Sequence, residues 1–218
     1  MNNPAKKSLD QERREYQRGT LEEESLPDHP MELFELWMEE ARSTTNPDPT
    51  AMTLSTVNSE GNPSSRMVLL KAVREGKLIF FTNYMSRKGK ELAACPQVAL
   101  QFYWPELERQ VRIEGMAAPL TDFDSTQYFR SRPYESQIGA WASPQSEVIP
   151  NRQSLETEFE KYHRKFKTAS EVPRPAQWGG YAITPSRMEF WQGGVHRLHD
   201  RIEYKREKDS WDRARLAP

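Results

Sequence analysis

The spacing of hydrophobic residues identifies one clear helix near the start of the chain. Within residues 30–43, apolar side chains recur at intervals of three or four, at Leu33, Phe34, Trp37 and Ala41. That spacing places them on one face of a helix. The sequence therefore predicts a helix over residues 30–43 whose apolar face packs into the core and is not a binding motif.

After this helix, short β-branched and apolar runs alternate with turn sequences rich in Gly, Asn and Ser. Such runs are typical of antiparallel strands joined by tight turns. They predict strands over residues 51–57, 65–73, 78–82, 98–104, 110–118, 178–184, 187–192, 197–206 and 211–216.

Further helices are predicted between these strands. They span residues 86–94, 121–131 and 153–167, and a short helix is predicted at Arg13–Tyr16. Ser86 is a suitable N-cap, and Thr121 and Asp124 have the spacing of a capping box. A βαβ alternation is absent, so we expect an α+β chain built on an antiparallel β-barrel. The glycine-rich G-x-G-x-x-G and P-loop motifs are also absent, and any phosphate must be held mainly by side chains.

Length, charge and cysteine content narrow the class of protein. The chain has 218 residues, a formal net charge of −1 and a single cysteine, Cys95. The charge gives no global basic field for nucleic acid or a membrane surface. One cysteine cannot form an intramolecular disulfide, which fits a reducing cytoplasm. No segment resembles a signal peptide or a membrane span, so we expect a cytoplasmic protein that binds neither nucleic acid nor membrane.

The stretch Phe190–Arg201 combines an apolar start, two glycines and a cationic end. If the part after the glycines is a strand, Arg197, His199 and Arg201 lie on one face, where they could contact both a cofactor and a substrate. A solvated polar strand face explains the same pattern. A metal site is a weaker explanation, because His196 and His199 would lie on opposite faces and the chain has no cluster of Cys and His.

Three basic groupings are candidates for holding phosphate. The first is the strand Arg66–Lys71, with a cation at each end, although strand ends often simply reach water. The second is Arg87 and Lys88 at a helix start, where paired cations oppose the helix dipole and a bound anion would relieve that cost. The third grouping comprises Tyr128, Arg132 and Ser136. Their side chains would lie on one helix face if helical geometry continued past Pro133.

Several motifs follow one another in a specific order. They are R-M-V-L-L-K at 66–71, F-F-T-N at 80–83 followed by S-R-K, E-R-Q-V at 108–111, Y-F-R-S-R-P at 128–133 with S-Q-I-G-A-W, Gln145-Ser146, F-W-Q-G-G-V-H-R-L-H-D-R at 190–201 and R-L-A-P at 215–218. From about Arg13 to Pro218, this order resembles the pyridoxine (pyridoxamine) 5′-phosphate oxidase family. One small departure is Phe81, where a tyrosine is common.

The resemblance implies an FMN-binding split β-barrel, antiparallel and Greek-key-like, with peripheral helices. It implies a homodimer with FMN at the subunit interface. The implied reaction oxidises pyridoxine 5′-phosphate or pyridoxamine 5′-phosphate to pyridoxal 5′-phosphate, with O2 as acceptor, giving H2O2 and, from the amine, NH3. Residues 1–20 would be a mobile segment that closes over the substrate, and residues 21–218 a single domain.

The family's site residues map onto this chain position by position. The implied FMN contacts are Arg66, Met67, Val68, Leu69, Leu70, Lys71, Phe81, Thr82, Arg87, Lys88, Gln110, Gln145, Ser146, Trp191 and Arg201. The implied substrate contacts are Arg13, Arg14, Glu15, Tyr16, Lys71, Tyr128, Arg132, Ser136, Arg197, Leu198 and His199.

Charge and chemistry suggest how these residues divide their roles. Arg66, Arg87 and Lys88 could neutralise the FMN phosphate, while two cations and two hydroxyls would hold the substrate phosphate. Arg197 and His199 are the expected catalytic residues, orienting the pyridine ring. A proton-transfer role for His199 is a further hypothesis, because its unperturbed pKa lies near neutrality.

Other functions remain open at this stage. A flavin reductase-like split-barrel protein would keep FMN but would not need the substrate-phosphate residues together. A non-catalytic carrier of FMN or pyridoxal phosphate would share most of the same residues. A barrel that binds single-stranded nucleic acid through Arg and aromatic side chains is disfavoured by the net charge of −1.

Overall fold

The computed structural model describes Ser8 and residues 15–218. Its helices are α1 (Pro30–Arg42), α2 (Arg87–Ala94), α3 (Asp122–Ser131), α4 (Tyr134–Ala142) and α5 (Arg152–Phe166), and short 3₁₀ turns occupy Glu23–Ser25 and Val195–Arg197. The strands are β1 (Ala51–Val57), β2 (Pro63–Leu69), β3 (Ala72–Arg74), β4 (Lys77–Asn83), β5 (Gln97–Trp104), β6 (Arg109–Pro119), β7 (Trp178–Gln192), β8 (Asp200–Glu207) and β9 (Ser210–Arg215). No helix in this described part is long and apolar enough to cross a membrane.

The strands form one sheet in the order β2-β1-β5-β6-β7-β4-β3, with β8 paired to β7 and β9 paired to β8. β1 runs antiparallel to β2 and β5, and β4 runs antiparallel to β3 and β7. β8 and β9 form an antiparallel hairpin. The predicted antiparallel meander is therefore confirmed where consecutive strands pair directly.

The chain divides into two compact units. Among the described residues, unit 1 contains those up to Pro49 together with Tyr103–Val111 and Met188–Pro218, and unit 2 contains Thr50–Phe102 and Arg112–Arg187. In unit 1, the ring of Phe190 lies edge-on to Trp37 at 5.3 Å and to Tyr204 at 5.7 Å. All three side chains are buried, so they form the aromatic core of that unit.

Unit 2 has a separate apolar cluster under its helices. Its buried members are Phe129, Ile138, Phe166, Val172 and Trp178. In β1 of the same unit every second residue is buried, as expected for a strand with one face on the core. This alternation explains why the predicted boundaries 51–57 match the observed strand.

The predicted caps of two helices are confirmed. The Ser86 hydroxyl accepts a hydrogen bond from the Gly89 amide at 3.3 Å, and α2 begins at the next residue. The Thr121 hydroxyl accepts from the Asp124 amide at 3.1 Å. Both side chains satisfy amides that the first turn of a helix leaves without a backbone partner.

Several predicted boundaries are wrong. The strand predicted over 65–73 is divided into β2 and β3, whereas those over 178–184 and 187–192 are one continuous strand, β7. Pro185 lies between the two predicted strands and lacks an amide hydrogen, but extended geometry continues on both sides of it. Helix α4 was not predicted. At the predicted short helix Arg13–Tyr16, residues 15 and 16 are not helical, and Arg13 and Arg14 lie outside the described residues.

The strand predicted over 197–206 begins only at Asp200. His196 and Arg197 have positive φ angles of 55° and 64°, in the left-handed region, which a strand does not contain. A 3₁₀ turn occupies Val195–Arg197 instead. The expectation that Arg197, His199 and Arg201 share one strand face is therefore wrong.

Candidate functional site

A cavity of about 490 Å³ lies within unit 2. It brings together many of the predicted residues, namely Arg66, Met67, Val68, Leu69, Lys71, Phe81, Thr82, Lys88, Tyr128, Arg132, Ser136 and Gln145. Its lining also contains residues that the sequence did not indicate, which are Asn83, Gly139, Ala140, Ser143 and Trp178. The cavity is open and markedly cationic, as a site for anionic ligands requires.

Behind the lining residue Arg66 lies a buried carboxylate, Glu91, which belongs to α2. It accepts hydrogen bonds from the Thr56 hydroxyl at 2.5 Å and the Ser64 hydroxyl at 2.7 Å. It also pairs with Arg66 at 3.2 Å and with Arg87 at 2.9 Å. Burial alone would raise its pKa, but these hydrogen bonds and the charge of Arg66 outweigh burial and lower the pKa to about 2. Glu91 is therefore an anion at neutral pH, and it orients two of the predicted phosphate-binding cations.

Lys88 is held in a different manner. Its Nζ donates to the side-chain amide oxygen Oε1 of Gln145 at 2.9 Å and to the Thr82 hydroxyl at 3.1 Å. Burial, together with the nearby positive charge of Arg66, lowers the pKa of Lys88, while Glu91 acts in the opposite direction. A buried ammonium group whose direct contacts are neutral oxygens is a natural partner for an anion.

Tyr128, Arg132 and Ser136 come together although no single helix carries them. α3 ends at Ser131, Arg132 is extended before the proline, and α4 begins two residues later. The helical continuity on which the predicted shared face depended is absent, because a residue before proline avoids helical geometry. The turn nevertheless directs all three side chains to the same cavity.

Arg132 has unsatisfied hydrogen-bonding capacity. Its Nη1 is buried and has no hydrogen-bond partner among the described residues. Burial lowers the pKa of Arg132, and the electrostatic interaction with Tyr128 offsets part of that decrease. Burial also raises the pKa of Tyr128. Native proteins rarely leave a buried donor unpaired, and such a donor lining a cavity indicates an absent acceptor.

Aromatic rings form one side of the same cavity. Phe81 stacks on Tyr128 with centroids 3.8 Å apart and on Trp178 with centroids 5.4 Å apart. The guanidinium of Arg132 lies over the Trp178 ring at 4.6 Å. The three rings lie nearly parallel, with Trp178 beside the Phe81–Tyr128 pair, and the cation lies over the indole.

Unit 1 contains a second group of predicted residues. Trp191 lies 4.7 Å from His199 and 5.5 Å from Tyr16, measured between ring centroids. The Gly194 amide donates to Nδ1 of His199 at 3.1 Å. Because Nδ1 is thereby an acceptor, the neutral imidazole carries its hydrogen on Nε2.

The polypeptide that carries Tyr16 is held by backbone contacts within unit 1. The amides of Gln17 and Arg18 donate to the carboxylate of Glu108 at 2.7 and 3.0 Å. Further along, the Leu21 amide donates to Asp200 at 3.0 Å. These anchors fix the described residues from Tyr16 onward beside Trp191.

The remaining predicted residues are not part of the unit 2 cavity lining. In unit 2, Leu70 is buried, Arg87 pairs with Glu91, and Ser146 is exposed with a φ of 73°. Gln110 belongs to unit 1, where it is half-buried on β6. In unit 1, Arg201 pairs with Glu189 at 2.9 Å, and Glu15, Arg197 and Leu198 are exposed.

Sequence reasoning missed Glu91 and Trp178. Glu91 stands four residues after Arg87 on a predicted helix, a spacing that favours an ion pair and could have identified it. Trp178 has a weaker signal, since it precedes two glycines at the start of a predicted strand. Neither feature by itself places a residue at the cavity.

Replacing Glu91 by Gln should change how stability depends on pH. The folded pKa of Glu91 is about 2 and its ordinary value is 4.5, so its contribution is present above pH 4.5 and is lost as pH falls toward 2. Glu91→Gln should therefore unfold more easily than wild type at neutral pH, with a difference that shrinks in acid by up to about 1.4 kcal/mol per pH unit.

Urea unfolding at a series of pH values from neutral to acid would measure this difference. The exposed Glu39, which pairs with Arg42 at 3.7 Å, offers a matched control as Glu39→Gln. Parallel stability curves for wild type and Glu91→Gln would contradict the assignment of Glu91 as a buried anion.

Comparison with known proteins gives a consistent result. Residues 38–166 match the family model described as pyridoxamine 5′-phosphate oxidase, and residues 178–218 match the pyridoxine 5′-phosphate oxidase C-terminal dimerisation region. A pyridoxine/pyridoxamine 5′-phosphate oxidase of Polynucleobacter asymbioticus is 50% identical over 97% of this chain and 99% of its own. The corresponding oxidase of Chromobacterium violaceum is 51% identical over 94% and 96%.

Solved structures agree on the fold. PhzG from Burkholderia lata, crystallised with tetrahydrophenazine-1-carboxylic acid, has a TM-score of 0.84 and 30% identity, covering 89% of this chain and 95% of its own. An FMN-binding protein of Nostoc punctiforme related to pyridoxamine 5′-phosphate oxidase has a TM-score of 0.70 and 14% identity, covering 88% and 100%. The predicted α+β fold, an antiparallel split β-barrel with peripheral helices, is confirmed. The chain belongs to the pyridoxine/pyridoxamine 5′-phosphate oxidase family.

Proposed function

We propose that this protein is an FMN-dependent oxidase that converts pyridoxine 5′-phosphate or pyridoxamine 5′-phosphate to pyridoxal 5′-phosphate. O2 is the acceptor and H2O2 the second product, with NH3 released from the amine substrate. The observation that carries the proposal is the buried Nη1 of Arg132, which has no hydrogen-bond partner in the part of the chain that the structure describes. It lies in a cavity that Lys71, Tyr128 and Ser136 also line. Two cations and two hydroxyl groups suit a phosphate dianion.

Cations that line the unit 2 cavity, together with the neighbouring Arg87, fit the phosphate of FMN as well. Arg66, Arg87 and Lys88 carry three positive charges against the single negative charge of Glu91. That excess matches a bound dianion, and the neutral contacts of Lys88 leave its charge to be balanced by a ligand. When bound, FMN supplies the redox chemistry by accepting a hydride from the substrate and passing electrons to O2.

The protein's own contribution is positioning. Lys71, Tyr128, Arg132 and Ser136 hold the substrate by its phosphate, which fixes one end of the molecule and restricts where its pyridine ring can lie. Phe81 and Trp178 limit water on one side of the cavity with apolar ring faces. We assign the orientation of the pyridine ring and its oxygen substituent to Arg197 and His199.

The hydrogen bond from Gly194 favours an orienting role for His199 over a basic one. With Nδ1 engaged as an acceptor, Nε2 of the neutral ring is a donor and cannot take a proton. Such a donor suits a substrate oxygen or a phenolate. The proposal also includes the FMN contacts predicted for four further residues, which are Trp191, Arg201, Gln110 and Ser146.

The wider assembly is proposed on the same basis. The match of residues 178–218 to a dimerisation region supports a homodimer, which we propose places FMN at the subunit interface in a cytoplasmic enzyme.

The position of Tyr16 beside Trp191 and His199 supports the proposal that the N-terminal segment closes over the substrate and that Arg13 and Arg14 act with it. Residues 21–218 would act as the single catalytic domain.

A visible absorption spectrum tests the proposal directly. The purified protein, supplied with FMN, should show a flavin band that bleaches on anaerobic addition of pyridoxine 5′-phosphate and returns with air, with H2O2 appearing in step. A band that does not bleach would indicate another substrate or a non-catalytic carrier. A protein that binds no FMN would contradict the cofactor assignment.

Replacing Arg132 by Ala should weaken binding of phosphorylated substrate specifically. Loss of a charge-assisted contact of about 1.5–3 kcal/mol corresponds to a rise in KM of roughly 10- to 100-fold. Arg130 gives a matched control, because it lies two residues earlier, in the last turn of α3, and pairs with Glu171 at the surface. Steady-state kinetics should leave Arg130→Ala close to wild type, and equal effects of the two variants would contradict the phosphate site.

His199→Gln should retain most of the turnover. Glutamine keeps an N–H donor near the position of Nε2 but cannot accept a proton at neutral pH. We expect kcat to fall by less than about tenfold, since loss of a general base costs about 10²–10⁴. A drop in kcat at saturating substrate within that larger range would instead support proton transfer by His199.

A further inference from the structure

Trp178 is the one large aromatic residue of the unit 2 cavity that the sequence did not assign to the site. It stands at the start of β7, is only 6% exposed and contributes to the cavity lining. It also belongs to the apolar cluster with Phe129 and Phe166. Core packing explains its burial, but it does not explain why its ring faces a cation.

Two arginines of the same cavity are held in opposite ways. Arg66 turns its terminal nitrogens inward, where Nη1 donates to the Leu54 carbonyl and Nη2 donates to Ser64 and Glu91. Arg132 lies 4.6 Å from the Trp178 ring and 5.6 Å from the Phe129 ring, and within the described chain its Nη1 has no acceptor. A π face attracts a guanidinium without occupying its N–H groups, so Arg132 is oriented while its donors remain available.

Trp178 also supports the second phosphate ligand. The Tyr128 ring lies on Phe81 with an interplanar angle of 14°, and Phe81 lies on Trp178 with an angle of 9°. The indole also lies 6.2 Å from the Tyr128 ring and nearly parallel to it, so it packs beside the Phe81–Tyr128 pair. Two of the residues proposed to bind the substrate phosphate, the cation Arg132 and the hydroxyl-bearing Tyr128, thus depend on the position of this one ring.

We propose that Trp178 is a positioning residue that sets the selectivity of the enzyme for phosphorylated over unphosphorylated pyridoxine compounds. It acts by presenting Arg132 with free donors and by supporting Tyr128 through Phe81. The inference rests on the proposed function, because it takes the substrate phosphate as the ligand of Arg132. It predicts that Trp178 affects binding of the phosphate group and not the chemical step.

The test compares Trp178→Leu, which removes the π face, with Trp178→Phe, which keeps a smaller one. For Trp178→Leu we expect KM for pyridoxine 5′-phosphate to rise about tenfold, the scale of a desolvated cation–π contact, with kcat within about twofold of wild type. Calorimetric titration of the FMN-loaded protein should show weaker binding of pyridoxal 5′-phosphate and unchanged binding of pyridoxal. Trp178→Phe should recover part of the loss.

Phe166→Leu is the matched control, because Phe166 lies in the same buried cluster, whereas the rings over Arg132 are those of Trp178 and Phe129. It should lower the melting temperature as Trp178→Leu does but leave KM unchanged. Equal changes in KM for the two variants, or equal weakening of pyridoxal 5′-phosphate and pyridoxal by Trp178→Leu, would overturn the role of Trp178. A wild-type protein that does not prefer pyridoxal 5′-phosphate to pyridoxal would overturn the proposed function together with this inference.

Discussion

The concentration of positive charge in the unit 2 cavity is the constraint on which the site depends. Arg66, Lys88 and Arg132 line one cavity, and Glu91 is the carboxylate that pairs with the first of them. Like charges at partial burial destabilise the folded chain unless anions compensate them. The phosphates of the proposed cofactor and substrate would supply that compensation, which would couple ligand binding to local stability in this unit.

The cations in and next to the cavity are held in place by two different kinds of contact, which leave different numbers of their N–H donors available. Carboxylate pairing fixes Arg66 and Arg87 strongly but uses some of their donors and cancels part of their charge. Contact with ring faces fixes Arg132 and preserves its donors. The first arrangement suits a ligand that stays bound, such as a cofactor, whereas the second suits a substrate that must bind and leave at each turnover.

Much of the fold and part of the site could be predicted from sequence, and the limits have physical causes. β1 and the caps of α2 and α3 depend on local patterns, so they were predicted closely. His196 and Arg197 adopt left-handed backbone conformations although neither is a glycine, so no local sequence pattern predicted the turn that they form. Trp178 meets Arg132 only through tertiary packing, which periodicity along the chain does not encode.

The attachment of the N-terminal segment to Glu108 has a consequence for sequence variation. The carboxylate binds the main-chain amides of Gln17 and Arg18, while both of these side chains are exposed. Any residue except proline offers the same two amides. Substitutions at positions 17 and 18 would thus keep the two hydrogen bonds that hold the segment next to Tyr16, whereas a substitution of Glu108 would remove them. The surface side chains of the segment can therefore differ between relatives while its attachment is preserved.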